Sequence, residues 1–346
     1  MKHIENLIAS LLVLVAVHGC TCLCAATPEY EQAYEEMAAM LDGQQPLSIR
    51  RAVFLAEQAY YDGQLDYEKY CRTIDSAADF LRRFIAVNGF DQYKTGKNMA
   101  LVEYFFNPYS GNGYRPFTYE YDQDRSSFER QFVTPLMETH RGQCRSLPMY
   151  YRILAEAIDA EAYIVRAPLH TFIRYRNEDG RYPEPWVNVE LTTHQIIPTF
   201  HIKEHYGITD KAIEGKIYLY ELSAHETVAL QLADLAFGYA SKYRWYDSFT
   251  LRCTEKALEY YPYNPNAMII KGKSLTFIYF QYLLTEGGSI DDPYAVSLAR
   301  YIDRTSQQLN SSGWEKISDE VMARLEEGYK HAEQVFRQQQ QSENNH

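Results

Sequence analysis

Apolar residues recur at helical spacing through the first third of the chain. Residues 28 to 41 form an acidic segment of helical character, and Leu47 to Tyr61 predicts a second helix with a polar, solvent-facing side. Tyr67 to Val87 predicts a third helix on the same grounds. An apolar stretch, Met99 to Phe106, precedes residues 107 to 117, which are rich in Gly, Pro, Asn and Tyr. That composition predicts a loop, either bordering a cleft or an ordinary surface connection.

The pattern changes from helix to strand in the middle of the chain. Residues 141 to 148 lead into a predicted helix that ends near Asp159. Ala162 to Tyr175 then predicts one strand, and the turn signal Asn177–Gly180 follows it. Trp186 to Leu191 predicts the returning strand, so the two strands form a hairpin.

Strand alternation groups the polar residues of this hairpin. It places His170 and Phe172 on one face of the first strand, and Trp186, Asn188 and Glu190 on one face of the second. We therefore expect the polar side chains of both strands to meet on one side of the hairpin.

The C-terminal third of the chain predicts helices. Gly238 and Gly272 are 34 residues apart, with Ala257 and Pro262 between them, which is typical of a tetratricopeptide helix pair. One repeat is recognisable and a second is partial. The tail from Gln338 is polar and rich in Gln, and we expect it to be disordered.

The first 26 residues predict a targeting segment. Lys2 precedes an apolar run, Leu7 to Val17, which has the length of a signal peptide and is short for a membrane span. Val17-His18-Gly19-Cys20 resembles a lipobox, in which Cys20 would be lipidated; alternatively, a small-residue cleavage site ends at Ala26. Both routes predict an exported protein, in the periplasm or as a lipoprotein of the cell envelope.

Composition limits the classes of partner. Apolar residues make up 46% of the 346 residues, which is enough for a substantial core. The formal net charge of -12 argues against a nucleic-acid partner, because such binding depends on Lys and Arg neutralising phosphates. The 31 tyrosines are explained by core and interface packing, with a carbohydrate or peptide groove as the alternative.

Three cysteines remain beyond the targeting segment: Cys71, Cys144 and Cys253. An odd number in an exported protein indicates at least one free thiol, while a Cys71–Cys253 disulfide stays open. The chain has neither a CxxC pair nor an HExxH sequence, and no metal-ligand spacing links His194, His201 and His205. We therefore predict no metal site and no cofactor.

Cys144 is placed for nucleophilic chemistry. It stands where a helix is predicted to begin, and unpaired N–H groups at a helix N-terminus favour a thiolate. The same N–H groups could hold an acyl oxyanion. Gly142 would let a substrate backbone approach closely, and Gln143 is a second candidate for positioning the substrate or the oxyanion.

His170 and Glu190 supply the remaining parts of a thiol site. A neutral imidazole can take the thiol proton and return it to a leaving amine. A carboxylate on the other ring nitrogen fixes the tautomer and stabilises the imidazolium, and Glu190 lies on the right face of the neighbouring strand. Asn188 shares that face and is the alternative third member.

Residues 141 to 191 resemble the core of the transglutaminase-like superfamily, which is related to papain-type peptidases. Gly142-Gln143-Cys144 matches its nucleophile motif, and His170 matches its His strand. Trp186 to Thr192 follows the Trp-x-x-x-Asp-x-Thr strand, with Glu190 in place of Asp. Arg145 replaces the usual aromatic residue after Cys, and Thr171-Phe172 follows His170 without a Trp two residues on.

The resemblance implies an α+β fold in which a papain/transglutaminase-like core follows a helical lead-in and precedes tetratricopeptide-like helices. It implies an exported thiol enzyme that hydrolyses peptide or amide bonds through Cys144, His170 and Glu190. The alternative is a scaffold or peptide-binding protein that has lost catalysis and binds a partner through its C-terminal helices. The expected boundaries are 1–26 targeting segment, 27–135 lead-in, 136–212 core, 213–337 helical region and 338–346 tail.

Overall fold

The structure, a computed structural model, describes residues 26–121 and 128–344. These residues combine many α-helices with two small β-sheets, so the fold class is α+β. Residues 1–25 of the predicted targeting segment, which include Cys20, lie outside the described residues.

The N-terminal helices follow the periodicity of the sequence. Helices α1 (Pro28–Leu41) and α3 (Tyr67–Val87) have the predicted bounds, whereas α2 (Ile49–Tyr60) is slightly shorter than predicted. The apolar stretch from Met99 to Phe106, to which the sequence assigned no element, lies in helix α4 (Gly96–Phe106). The start of α2 is fixed by Ser48, whose side chain accepts a hydrogen bond from a backbone N–H of the first turn.

The segment after α4 is a loop held by its own amide groups, as predicted. The Asn112 side chain donates to the carbonyls of Tyr104 and Asn107 and accepts from the N–H of Tyr109. The chain then forms strand β1 (Thr118–Tyr119).

Strand β1 pairs in parallel with β2 (Arg141–Gly142), which follows the short helix α5 (Val133–Thr139). Helix α6 (Ser146–Ala157) comes directly after β2 and is buried along most of its length. The connection between β2 and α6 contains Cys144.

A four-stranded antiparallel sheet lies next to α6. Its strands are β3 (Tyr163–Ala167), β4 (His170–Arg176), β5 (Trp186–Glu190) and β6 (Gln195–Ile196), in that order.

The prediction of one strand from Ala162 to Tyr175 is wrong. Ala167 pairs with His170 across a tight turn made by Pro168 and Leu169. Pro168 cannot donate to a strand ladder, and Leu169 has a φ of 57°, so the chain reverses here. The reversal places His170 at the first position of β4, at the tip of the hairpin.

The two faces of this sheet contact different apolar clusters. Ile173 and Val189 belong to the main core, which includes α6 and the N-terminal helices. Phe172 belongs to a smaller cluster formed with residues around α7 (Thr199–His205) and α8 (Asp210–Glu214). This division confirms the predicted alternation of the strands.

The C-terminal region consists of five helices: α9 (Ala224–Tyr243), α10 (Ser248–Tyr260), α11 (Pro265–Thr285), α12 (Pro293–Ser311) and α13 (Asp319–Asn344). Helices α9 to α12 pack on one another in chain order, whereas α13 packs on α7. Gly238 contacts Phe128 and Tyr60, both outside this region, and Gly272 faces Thr305 of α12. The tetratricopeptide assignment stays a prediction.

One further expectation differs from the structure, and one open question is answered by it. The backbone is helical through Asn344, although the tail from Gln338 was predicted to be disordered; Gln is a good helix former, so polarity alone does not end a helix. Cys71 and Cys253 are free thiols in the described part of the chain. Cys71 interacts with Tyr67 of its own helix, and Cys253 is buried within α10.

Candidate active site

Cys144 lies in the short connection between β2 and α6, half-buried. The connection is held on both sides. The N–H of Gln143 donates to Ser146 Oγ at 2.9 Å, and the Gln143 side-chain amide donates to the carbonyl of Glu120 at 2.9 Å. The N–H of Glu120 in turn donates to the carbonyl of Gly142 at 2.8 Å. The thiol is therefore fixed at the N-terminus of a helix, as the sequence predicted.

The structure shows internal contacts of Gly142 and Gln143, and their expected roles toward a substrate stay predictions. Gly142 is buried, and a Cβ there would lie 2.6 Å from Ser146 Oγ and 2.9 Å from Leu136 Cδ1. Internal packing therefore favours glycine at this position. The Gln143 amide is bonded to Glu120, so its described function is to hold the connection in place.

His170 and Glu190 are in direct contact. The distance from His170 Nε2 to Glu190 Oε2 is 2.6 Å, and both side chains are at most 10% exposed. The second carboxylate oxygen, Oε1, accepts from the N–H of Thr192 at 3.0 Å and from its hydroxyl at 2.6 Å. Both oxygens of Glu190 thus have partners.

The role of Thr192 was not assigned from the sequence. Its signal was nevertheless present, because Thr192 ends the Trp-x-x-x-Glu-x-Thr pattern. Two residues after Glu190, its backbone and hydroxyl both reach the same carboxylate oxygen. Thr192 therefore orients the carboxylate that binds His170.

The contact between His170 and Glu190 changes both pKa values. Burial lowers the pKa of His170, but the Glu190 charge, hydrogen bonds to Cys144 and Glu190 and the charge of Cys144 outweigh it, so the pKa is raised. Burial alone would raise the pKa of Glu190, yet the charge of His170 and its hydrogen bonds lower it. The pair is therefore an imidazolium and a carboxylate at neutral pH.

Cys144 completes the arrangement. Because Nε2 of His170 is bound to Glu190, Nδ1 is the nitrogen that remains for the thiol, and a hydrogen bond with Cys144 contributes to the raised pKa of His170. The thiol also donates a long bond to the carbonyl of Leu169, at 3.8 Å. The structure therefore brings together the three predicted residues.

Tyr206 lies against the imidazole. The two rings are stacked, with centroids 5.1 Å apart and planes inclined by 12°. Tyr206 follows α7, far from His170 in sequence, and no pattern in the sequence indicated it. Its ring covers one face of His170, while burial and the nearby Glu190 charge raise the pKa of its own hydroxyl.

Asn188, the alternative third member, has other partners. It lies on the same face as Glu190, as expected, but its Oδ1 accepts from Arg174 Nε at 2.7 Å. Its Nδ2 donates to the carbonyl of Ile197 and to Thr199. Asn188 therefore ties the sheet to α7, and Glu190 occupies the position next to the histidine.

Arg145 takes up the side of Cys144 where the resembling family has an aromatic residue. Its guanidinium is ion-paired with Asp234 of α9 and donates to Gln131 at 3.0 Å. The Arg145–Asp234 ion pair therefore links the start of α6 to the C-terminal helices.

Cys144 and His170 open into a cleft with a volume of 520 Å³. One side is formed by the tip of the β3–β4 hairpin, which includes Leu169. Another is formed by Asn266 and Ile269 of α11 and by residues between α12 and α13, including Trp314. The cleft is large enough for a few residues of a peptide and contains both polar and apolar walls.

Two further features of the described residues concern metals and membranes. Across residues 26–121 and 128–344, no group of three or more His, Cys, Asp or Glu side chains is arranged to hold a metal ion. Over the same ranges, every helix falls short of the length and apolar character needed to cross a membrane.

No family model matches this chain, and neither a curated protein nor a solved structure shows significant similarity to it. The transglutaminase-like resemblance accordingly depends on the residues of the site and on their order in the sequence.

Proposed function

We propose that this protein is a transglutaminase-like thiol acyl-transfer enzyme that hydrolyses peptide or amide bonds, with Cys144 as the nucleophile. The observation that carries the proposal is the continuous chain from Cys144 through His170 to Glu190 and Thr192, at the wall of an open cleft. Cys144 lies at the start of a helix, and His170 and Glu190 lie on two paired strands. This arrangement is the one expected for such chemistry.

The proton balance follows from the raised pKa of His170. The thiol gives its proton to the imidazole, which leaves a thiolate beside an imidazolium. The thiolate attacks the amide carbonyl carbon, and the first N–H groups of α6 stabilise the oxyanion. His170 then donates its proton to the leaving amine, and a thioester to Cys144 remains.

Hydrolysis of this thioester uses the same groups in reverse. His170, now neutral, removes a proton from water, which attacks the acyl carbon, and the sulfur leaves as a thiolate beside the restored imidazolium. Glu190 keeps its charge throughout and stabilises the imidazolium at both stages. Tyr206 limits the access of water to one face of the ring. No metal or organic cofactor takes part in these steps.

The resemblance also supports the remaining proposals. The substrate is a protein or peptide, and the protein acts after export, in the periplasm or attached to the cell envelope through a lipid on Cys20. Nucleic acid is not a proposed partner, because the net charge is -12.

The test is the rate at which each cysteine is alkylated between pH 5 and pH 9, measured by peptide mass spectrometry on the folded protein. We expect Cys144 to react rapidly below pH 7 and His170→Ala to slow this reaction. Cys71 and Cys253 are internal controls, and His225→Ala is a matched control, because His225 stacks on Tyr260 away from the cleft.

If Cys144 reacts no faster than an ordinary thiol of pKa ~8.5, the catalytic assignment fails.

The second candidate is a scaffold that binds a protein through its C-terminal helices. It is favoured by exposed large apolar side chains in this region: Phe237, Tyr243, Leu284, Ile290, Tyr294 and Tyr301. A partner that is captured equally by the wild type and Cys144→Ala, and is lost on substitution of Leu284 and Tyr294, would support this function.

A further inference from the structure

The cleft beside Cys144 contains more positive than negative charge, in a protein whose net charge is -12. Its charged lining residues are Arg145, Arg166, Lys316 and Glu315, besides the Cys144–His170 pair of the proposed site, in which His170 is bound to Glu190. Arg145 is neutralised by Asp234. Lys316 and Glu315 are adjacent and exposed, so their opposite charges largely offset each other and are screened by solvent. Arg166 is the charge that remains.

Arg166 is half-buried and has only neutral partners. Its Nη1 donates to Asn264 Oδ1 at 2.9 Å, and the Tyr261 hydroxyl lies near the guanidinium, which acts to lower the pKa of that hydroxyl. In the described ranges 26–121 and 128–344, no carboxylate oxygen lies within 4.0 Å of its guanidinium. Arg174, on the neighbouring strand of the same sheet, is ion-paired with Glu221 at 2.6 Å.

This contrast matters because an arginine removed from water usually acquires a carboxylate partner. Arg174 has one inside the protein, whereas the position of Arg166 on the cleft leaves its charge available to a ligand.

The start of α11 adds to the positive potential at Arg166. Asn264 Oδ1, which binds the guanidinium, also accepts from the N–H groups of Asn266 and Ala267 in the first turn of this 21-residue helix. The guanidinium is thereby attached to the positive end of a long helix. Asn266 and Ile269, one turn apart, line the same cleft as Cys144.

We propose that Arg166, next to the first turn of α11, forms a carboxylate-binding subsite, and that the Cys144 site takes peptides carrying a carboxylate close to the bond that is cleaved. The substrate assignment rests on the proposed function, whereas the subsite itself requires binding only. A guanidinium binds a carboxylate through two parallel N–H···O bonds, which also orients the ligand. The carboxylate belongs to a peptide C-terminus or to an Asp or Glu side chain.

The test is calorimetric titration of the Cys144→Ala protein with three acetylated dipeptides: Ala-Ala with a free C-terminus, Ala-Ala amide and Ala-Glu amide. We expect at least one carboxylate ligand to bind about tenfold tighter than Ala-Ala amide, since hydrogen bonds to charged groups are the stronger ones. If Ala-Ala with a free C-terminus binds more tightly than Ala-Glu amide, the carboxylate is that of a peptide C-terminus. If Ala-Glu amide binds more tightly, the carboxylate is that of an acidic side chain.

Arg166→Ala should remove this preference and leave the affinity for Ala-Ala amide unchanged, while Arg166→Lys should retain part of it. Arg176→Ala is the matched control, because Arg176 is an exposed arginine of the same sheet that stacks on Trp186. Equal binding of all three peptides, no carboxylate binding at millimolar concentration, or an equal loss for all three in Arg166→Ala would overturn the subsite.

The two proposals fail separately. If carboxylate binding depends on Arg166 but Cys144 reacts as an ordinary thiol, the proposed enzyme activity is wrong and the proposed subsite is supported. If the alkylation of Cys144 is fast and depends on His170 but the protein does not prefer carboxylate peptides, the proposed enzyme activity is supported and the proposed subsite is wrong.

Discussion

Two buried glutamates, Glu57 in the helical lead-in and Glu190 in the sheet, are bound in nearly the same way. Each accepts hydrogen bonds from the backbone N–H and the hydroxyl of one threonine, which is Thr134 for Glu57 and Thr192 for Glu190. Their exposed fractions are 3% and 6%. The remaining donor differs: it is the N–H of Val133 at 2.5 Å for Glu57, and the His170 imidazole at 2.6 Å for Glu190.

This one difference reverses the direction of the pKa shift. Burial raises the pKa of Glu57 to about 7, and its neutral donors only partly offset the burial. Burial also acts on Glu190, but the positive charge of His170 and the hydrogen bonds lower its pKa. Neutral hydrogen bonds therefore do not keep a buried carboxylate ionised in this protein, whereas an adjacent imidazolium does. The same contact keeps His170 protonated, as the proposed chemistry requires.

The largest expected effect comes from removing the charge of Glu190. In Glu190→Gln, burial would dominate the pKa of His170 and lower it, so the imidazole would no longer hold the proton of Cys144. We expect the alkylation rate of Cys144 at pH 6 to fall by about 10²- to 10⁴-fold, the range that a positioned acid or base contributes.

Glu57→Gln is the matched control for this prediction, because it makes the same change at the other buried carboxylate. It should leave the alkylation rate of Cys144 unchanged. An equal rate in Glu190→Gln and wild type would show that the carboxylate does not set the state of His170.

The next effect is on the pH dependence of stability and comes from Glu57. Its folded pKa of about 7 exceeds the value of 4.5 for an ordinary Glu, so the folded state binds a proton that the unfolded state releases. The free energy of unfolding therefore falls as pH rises from 4.5 to 7, by roughly 3 kcal/mol in full. Urea denaturation of wild type and Glu57→Gln across this range measures the difference.

Glu190 and His170, the buried groups of the proposed site, titrate outside most of the range from pH 4.5 to 7. The lowered pKa of Glu190 gives stability that is present above pH 4.5 and lost as pH falls through the folded pKa. The raised pKa of His170 gives stability that is present below 6.5 and lost as pH rises through the folded pKa. The raised pKa of Glu156 acts in the same direction as that of Glu57, and the lowered pKa values of His140, His194 and His205 act in the opposite direction. The contribution of Glu57 is therefore the difference in slope between wild type and Glu57→Gln, and equal slopes would contradict its raised pKa.

The sequence was sufficient to predict α1, α2, α3 and α6, the helical character of the C-terminal third and the three residues of the proposed site. Local spacing predicted α1 and α3, and alternation placed His170 and Glu190 on one side of paired strands, because these patterns depend on near neighbours. The hairpin turn was missed, although Pro168 signalled it, because the strand was extended through a residue that cannot pair.

The parts that could not be predicted depend on distant segments. Tyr206 reaches His170 only because α7 packs on the second face of the sheet, and Glu57 reaches Thr134 only because α5 begins beside α2. A tyrosine after a helix or a glutamate on a helical face carries no local signal of either contact. The unpaired charge of Arg166 likewise became visible only when its neighbours were known.

The smallest expected effect is the difference in the free energy of unfolding between Thr192→Val and Thr134→Val. At pH 6, Thr192→Val removes a hydrogen bond to an ionised carboxylate, whereas Thr134→Val removes one to a carboxyl that is mostly protonated. We expect the free energy of unfolding to fall by about 2 kcal/mol for Thr192→Val and by about 1 kcal/mol for Thr134→Val, since bonds to charged groups contribute more. At pH 8, where Glu57 is ionised, the cost of Thr134→Val should rise to that of Thr192→Val. Urea denaturation of both variants at the two pH values checks this, and a Thr134→Val cost that does not change with pH would show that Glu57 is already ionised at pH 6.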